Sequence, residues 1–448
     1  MKINFHIEAI KNYNERVNEL LLFLTPKKEA IKRTIVDTGI IIKDISNEVI
    51  QHKRGGEVDY TGMPVSIFFK WGAKEIGLFK DNFISLVKIA EDIQKSASLY
   101  EIANVAYIYD KIFEWMELKY LGQAEGEMMD YFIQKIEKDI HNYEIWVPIA
   151  HTIIEDEFQI GIVKVISLSK EIFNQWESGL IKIAKDESHR NRIIESMAKE
   201  RREKQGYAVA VVNIQSEAKR AEEIAYEKVE EALGLLRILS PAAGLINHIS
   251  YTTIKGQENI EKCECYFIED GYIKTQSISL LKFQEIDWII RKDFIEQIKH
   301  HGLNLFNELL LNKNRNPFQE TVLRSIGLFS RSTLMKNIPD KLVYIFASLE
   351  SILIKNENEP IQTNLSDRIA FAIGNDGKVR QNIVKNIKEA YKFRSKFVHH
   401  GIRTNEIGVL NEFLWNSTKF FYSVLENINI FETKEDMINA LEKRKYGG

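Results

Sequence analysis

The stretch KEAYKFRSKFVHHG, residues 388–401, sets Arg394 five and six positions before His399 and His400. A guanidinium and an imidazole could together cleave RNA, although the spacing alone reads equally as a buried salt bridge beside a helix-end histidine. RNA carries its own nucleophile, the 2′-hydroxyl. A histidine takes the hydroxyl proton or protonates the leaving 5′-oxygen. An arginine grips the phosphate while negative charge builds on it. This route needs no metal and no cofactor.

Stepping about 100° per residue from Val379 places Val379, Ile383, Ile387, Ala390, Phe393, Phe397 and Val398 in one arc of roughly 140°. Arg394 falls inside that arc, His399 nearly opposite its centre, and His400 near its edge beside Phe393. A guanidinium on a packed face keeps its proton and therefore needs an anion or a strong acceptor. Two partners suit it: Glu350, in FASLES on an earlier helix, and an external phosphate matched to the planar fork. Gly401 reads as the helix C-cap. The negative helix end favours imidazolium while a nearby guanidinium disfavours it. Lys396 and Arg403 would extend the positive surface toward an RNA backbone, although each alone also reads as an ordinary surface cation. One small bundle offers a wet, shallow site. Two bundles meeting at a twofold axis would exclude water and double the local charge.

The elements that must position these groups are helical. From residue 317 the pattern gives a bundle of five helices with short links: QETVLRSIGLFSRSTL, DKLVYIFASLESILI, LSDRIAFAIG, KVRQNIVKNIKEAYKFRSKFVHH and VLNEFLWNSTKFFYSVLENI. Upstream, residues 1–35 read as helix interrupted at Pro26, SIFFKWG as a strand, and 81–140 as helix again. Residues 144–168 read as two strands around the acidic turn Glu155–Glu157, taken as a solvated turn rather than a metal cluster. Residues 181–240 read as charged helix, with KERREKQG a weak nucleic-acid contact. Residues 261–283 read as a hairpin turning at Glu269–Gly271. The organisation expected is therefore a mostly helical N-terminal region over 1–140, an α+β middle region over 141–316, and a helical bundle over 317–448. The fold class is mainly α with a minor β component.

Bulk properties bound the function. With 448 residues, more than one domain is expected. A net charge of −3 excludes a globally basic nucleic-acid coat while allowing a local basic site. Cys263 and Cys265 are the only cysteines and read as free thiols in a reducing cytoplasm; His300 and His301 make no convincing zinc set with them. No run of about 18 apolar residues exists, so no membrane-spanning helix is expected.

Three short motifs connect these observations. Leu349-Glu350 lies on one helix, Leu365, Arg368 and Ala370 follow on the next, and Arg394-Ser395 precedes Val398-His399 on a third. Over about 320–430, under a third of the chain, this pattern resembles the HEPN superfamily, specifically its Apea-like group. The resemblance implies an all-helical bundle that pairs with its twin, so that R-x4-6-H motifs of two protomers form one composite ribonuclease site. It assigns Arg394 and His399 as catalytic, with Ser395, His400 and Glu350 in support. Ser395 would orient the imidazole. The second histidine before Gly401 departs from the family pattern and leaves His399 and His400 both open, with His399 favoured by its place after valine. Many such proteins act in phage defence or as toxins; others bind nucleotides or proteins and cleave nothing. The expectation is a triggered anti-phage endoribonuclease, its upstream region sensing a phage-derived trigger or regulatory partner. The alternative is a non-catalytic binding or regulatory protein in which Arg394 is a bundle salt bridge. Nucleotide transfer ranks below both, because no glycine-rich phosphate loop is present.

Overall fold

Apolar residues at helical spacing form α1 (Ile7–Leu21), which buries Tyr13, Val17 and Leu20. The computed structural model describes residues 3–26, 54–59, 61–72, 74–96, 99–257, 262–269, 272–280, 287–402 and 406–447. Within them the chain is mainly α with a minor β component. Two compact units emerge. One comprises Met1–Ile145, Trp176–Glu195 and Asn213–Ala225; the other comprises Trp146–Gln175, Ser196–Val212 and Tyr226–Gly448.

In the first unit, α1 is followed by β1 (Thr25–Pro26), β2 (Arg54–Gly55), β3 (Ser66–Trp71) and β4 (Lys74–Phe79), then α2 (Asp81–Ser96), α3 (Val105–Tyr120) and α4 (Met128–Asp139). The strands form a sheet in the order β1-β4-β3-β2. Helix does not continue to Pro26 as the periodicity suggests. It stops at Leu21, and Thr25–Pro26 instead pair with Gly77 and Ile76 at the sheet edge, where a proline's missing N–H is tolerated. Phe69, Phe113, Trp115 and Phe132 anchor the core beneath. Gly77 lies opposite Phe68, and a Cβ there would stand 2.1 Å from the Ile67 carbonyl oxygen and 2.7 Å from Phe68 Cα. Backbone cannot swing aside as a side chain can, so Gly77→Ala is expected to destabilise this unit by about 3 kcal/mol or more. Chemical denaturation checks this.

The chain continues as β5 (His141–Ile154), β6 (Phe158–Ile160), β7 (Val163–Ser167), α5 (Lys170–Lys182), α6 (Glu187–Lys204), β8 (Tyr207–Ser216), α7 (Ala218–Ile238), β9 (Thr253–Ile254), β10 (Lys262–Glu269), β11 (Tyr272–Leu280), β12 (Trp288–Ile290), α8 (Lys292–Ile298) and α9 (Asn304–Leu311). A sheet runs in the order β12-β5-β8-β7-β6, with β9 also pairing β5. The two strands expected over 144–168 are three, because Gly161 turns β6 back on β7 with φ 59°. The acidic turn sits between β5 and β6, with Asp156 paired to Lys292 at 3.3 Å and Glu157 to Lys164 at 2.9 Å. Residues 181–240 are not continuous helix. Gly206 (φ 90°) ends α6, and Ala208–Val212 form a strand buried on both faces. The hairpin is present as β10 and β11, with Glu269 opposite Tyr272; its turn residues Asp270 and Gly271, and the side chains of Cys263, Cys265, His300 and His301, lie outside the described residues.

The terminal bundle comprises α10 (Pro317–Thr333), α11 (Ile338–Leu353), α12 (Ile361–Ile373), α13 (Gly377–His400), α14 (Ile407–Glu426) and α15 (Lys434–Lys445). The five expected helices are α10–α14; α15 is a sixth, opened by a capping box between Thr433 and Asp436. Phe329, Phe346, Leu349, Ile369, Ile387, Phe413 and Phe421 are all buried in the bundle's core. Among the described residues no helix is long and apolar enough to cross a membrane.

Candidate functional site

The last turns of α13 carry the residues of interest. Asp376 starts this helix, its carboxylate accepting the Val379 N–H at 2.9 Å. Gly401 ends it in the left-handed conformation (φ 66°), donating its N–H to the Phe397 carbonyl at 2.8 Å. That conformation suits glycine at a C-cap, as the sequence implies. The helix is fixed laterally from α14. Asn386 Nδ2 donates to the Val409 carbonyl at 2.9 Å, and Asn416 Nδ2 donates to Asn386 Oδ1 at 3.1 Å. Both asparagines are buried, so this pair fixes register where apolar packing alone would allow sliding.

Arg394 is half-buried, on the packed side of α13. Its guanidinium carbon lies 5.7 Å from the centre of the Tyr391 ring, three positions earlier on the helix. Tyr391 in turn meets Phe346 of α11 edge-on, ring centres 5.2 Å apart, and Phe346 stacks on Phe413 of α14 at 4.7 Å. An aromatic column running from the bundle core therefore supports the arginine. Tyr391 escaped notice in the sequence, although an aromatic three positions before a packed arginine is a legible cation–π signal.

Glu350 on α11 is the internal partner the sequence offers. It is half-buried and feels the guanidinium, yet no ion pair joins the two. Arg394 Nε and Glu350 Oε1 are both buried without a hydrogen-bond partner. Burial pushes the Glu350 carboxyl above its ordinary range, and the positive field of Arg394 opposes that push only in part. A carboxyl whose folded-state pKa is raised weakens the fold as pH rises past the unfolded value. Glu350→Gln is therefore expected to raise the denaturation midpoint near pH 8 and to leave it unchanged near pH 4. Urea melts at the two pH values test this directly.

His399 and His400 are exposed, with ring centres 6.3 Å apart. Lys396 is exposed and Ser395 half-buried on the same two turns, while Arg403 lies outside the described residues. Val398 and Ile402, beside the histidines, are 49% and 55% exposed, so this end of the helix presents apolar surface as well. The structure thus puts Glu350 within the field of Arg394 without an ion pair and leaves both histidines exposed on the last turn of the same helix as the arginine.

Arg368, the arginine of α12, plays a different part. It is buried and fully engaged by Glu359, Glu442 and the Leu353 carbonyl. A second constellation, His151 with Asp287, joins residues 136 positions apart, and no local spacing signals it. No protein-family model, no curated protein and no solved structure matches this chain.

Proposed function

We propose that the terminal bundle is a HEPN-type, metal-independent endoribonuclease, working as a homodimer, with Arg394 holding the scissile phosphate and His399 transferring the proton. The observation that carries this reading is the state of Arg394. Its buried Nε has no partner, and the nearby Glu350 forms no ion pair with it. A structural salt bridge would use those donors; here they remain for an anion. His400 is the reserve proton-transfer group, Lys396 extends the phosphate track, and Arg403 is the further cation the sequence offers.

Helix geometry supports a second copy. Arg394 and His399 are five residues apart on one helix, which turns them about 140° away from each other. One helix therefore directs the two groups to different faces. Two copies around a twofold axis bring the arginine of one to the histidine of the other, and the exposed Val398 and Ile402 give that contact apolar area. The upstream residues would hold the site inactive until a trigger, phage-derived in the defence reading, is bound.

Mixing two inactive variants tests the composite site. Arg394→Ala and His399→Ala, each inactive alone, should recover cleavage when unfolded and refolded together, because a mixed dimer retains one intact arginine–histidine pair. The products should carry 2′,3′-cyclic phosphate and 5′-hydroxyl ends, and cleavage should persist in EDTA. Absence of complementation between two folded, dimeric variants would place both groups in one protomer's site or in none.

A further inference from the structure

His151 lies inside β5 with a φ of 50°, a conformation that residues bearing a Cβ rarely adopt. The strand's pairing explains the kink. Ile149 and Ala150 pair antiparallel with β9, while Thr152–Ile154 pair parallel with β12. His151 is the residue at which β5 changes partners. Nothing in that backbone requires a histidine, since glycine and asparagine enter this region with less strain. Strain held at a polar side chain points toward use of that side chain.

The ring is oriented. Its Nδ1 lies 3.0 Å from Asp287 Oδ1, and Asp287 Oδ2 accepts the Tyr207 hydroxyl at 3.1 Å. An ionised carboxylate only accepts, so Nδ1 carries the hydrogen and Nε2 is left for another partner. Tyr251 packs edge-on against the ring at 6.0 Å. His151 lines a pocket with Pro148, Glu203, Lys204, Tyr207 and Lys255. Lys204 is paired with Glu200, whereas the Lys255 side chain forms no ion pair among the described residues. Lys204 is the last cation of the basic run 199–206, so that run ends at this pocket.

The pocket volume is about 90 Å³. Sites for drug-sized ligands occupy roughly 300–1,000 Å³, and one water's share of the liquid is about 30 Å³. The space therefore suits a group of a few heavy atoms and excludes a nucleoside. Glu200 answers Lys204 and Asp287 answers His151, so Lys255, which has no ion pair among the described residues, is the cation left at the pocket beside Glu203. We propose that this pocket binds a small oxyanion, a phosphate or carboxylate group, with His151 Nε2 and Lys255 as its donors. With Nδ1–H committed to Asp287, Nε2 donates to the anion only as the imidazolium.

The test uses the full chain and titrates inorganic phosphate, sulfate and acetate by calorimetry, against sodium chloride at matched ionic strength. Saturable binding of phosphate and sulfate identifies a phosphate-type ligand, and saturable binding of acetate alone a carboxylate. Sulfate keeps a constant charge across neutral pH and serves as the reference anion for every variant. His151→Gly relieves the backbone strain and should melt no lower than wild type while binding about tenfold more weakly or not at all. Lys255→Ala, at an exposed position, should weaken binding several-fold and keeps the test decisive if the glycine variant does not fold. No saturable binding beyond the chloride control, or unchanged affinity in folded Lys255→Ala, overturns the proposal.

Discussion

Purified Arg394→Ala/His399→Ala protein should fold, dimerise and leave RNA uncut, with the cleavage rate reduced by at least about 10³-fold. Each half of that expectation has a separate cause. Removing a donor aimed at developing charge lowers such rates by about 10²–10³-fold. Removing a proton-transfer group lowers them by about 10²–10⁴-fold. Groups acting on one transition state are not additive, so the double variant should fall little below the worse single variant. His399→Ala and His400→Ala, tested singly, identify the acting imidazole. Only one should reach the floor, and on the proposed reading it is His399.

The stability readout separates this reading from its rival. A bundle salt bridge between Arg394 and Glu350 would make Arg394→Ala a several-degree lesion. In the structure the truncation removes the approach to Tyr391, a contact of about 0.5–1 kcal/mol at a partly exposed site, and an attraction to Glu350 that forms no ion pair. Arg394→Ala should therefore melt within a few degrees of wild type. A variant that retains full cleavage removes the nuclease assignment from this site, and a variant that melts far lower returns Arg394 to a structural part.

The difference between what was readable and what was not follows local against distant information. The helix bearing Arg394 was readable because its apolar positions repeat at helical spacing and Gly401 marks its end. β8 was not. Its segment AVAVV is buried on both faces, so it shows no alternation, and a short continuous apolar run after a charged helix fits either state. α15 was missed although its opening signal is local: Thr433 three residues before Asp436, in a segment whose charged composition hides the narrow stripe of Met437, Ile438 and Leu441. The separation of Arg394 from Glu350 depends on the register of α13 against α11, which neither helix encodes by itself. His151 and Asp287 meet only because β5 and β12 are parallel neighbours, a consequence of the whole sheet.

The largest loss of stability should come from Arg368→Ala, expected to cost about 3–5 kcal/mol and to lower the melting temperature by roughly 6–20 °C. Arg368 is 5% exposed. Its fork holds Glu359 through two bonds, of 2.8 and 2.9 Å, and reaches Glu442 at 2.7 Å, while also donating to the Leu353 carbonyl that ends α11. One side chain thus joins the end of α11, the link to α12, and α15. Truncation leaves the Glu359 carboxylate, 15% exposed, without its cation. Lysine should not rescue the loss, because a single ammonium cannot reproduce the bidentate fork. The same pair has a pH signature. Hydrogen bonding from Arg368, more than any other cause, pulls the Glu359 carboxyl down to about 2, and the same arginine lowers Glu442. A carboxylate depressed in the folded state contributes stability that is complete above its unfolded value near 4.5 and lost as pH falls toward 2. With the outer edge of Glu359 reaching solvent, that contribution is roughly 2 kcal/mol. Denaturation midpoints measured from pH 6 down to pH 2 should therefore drop steeply in wild type and more shallowly in Arg368→Met, where the carboxylates have no guanidinium to lose. Parallel acid limbs in the two proteins would show that Arg368 contributes shape rather than charge.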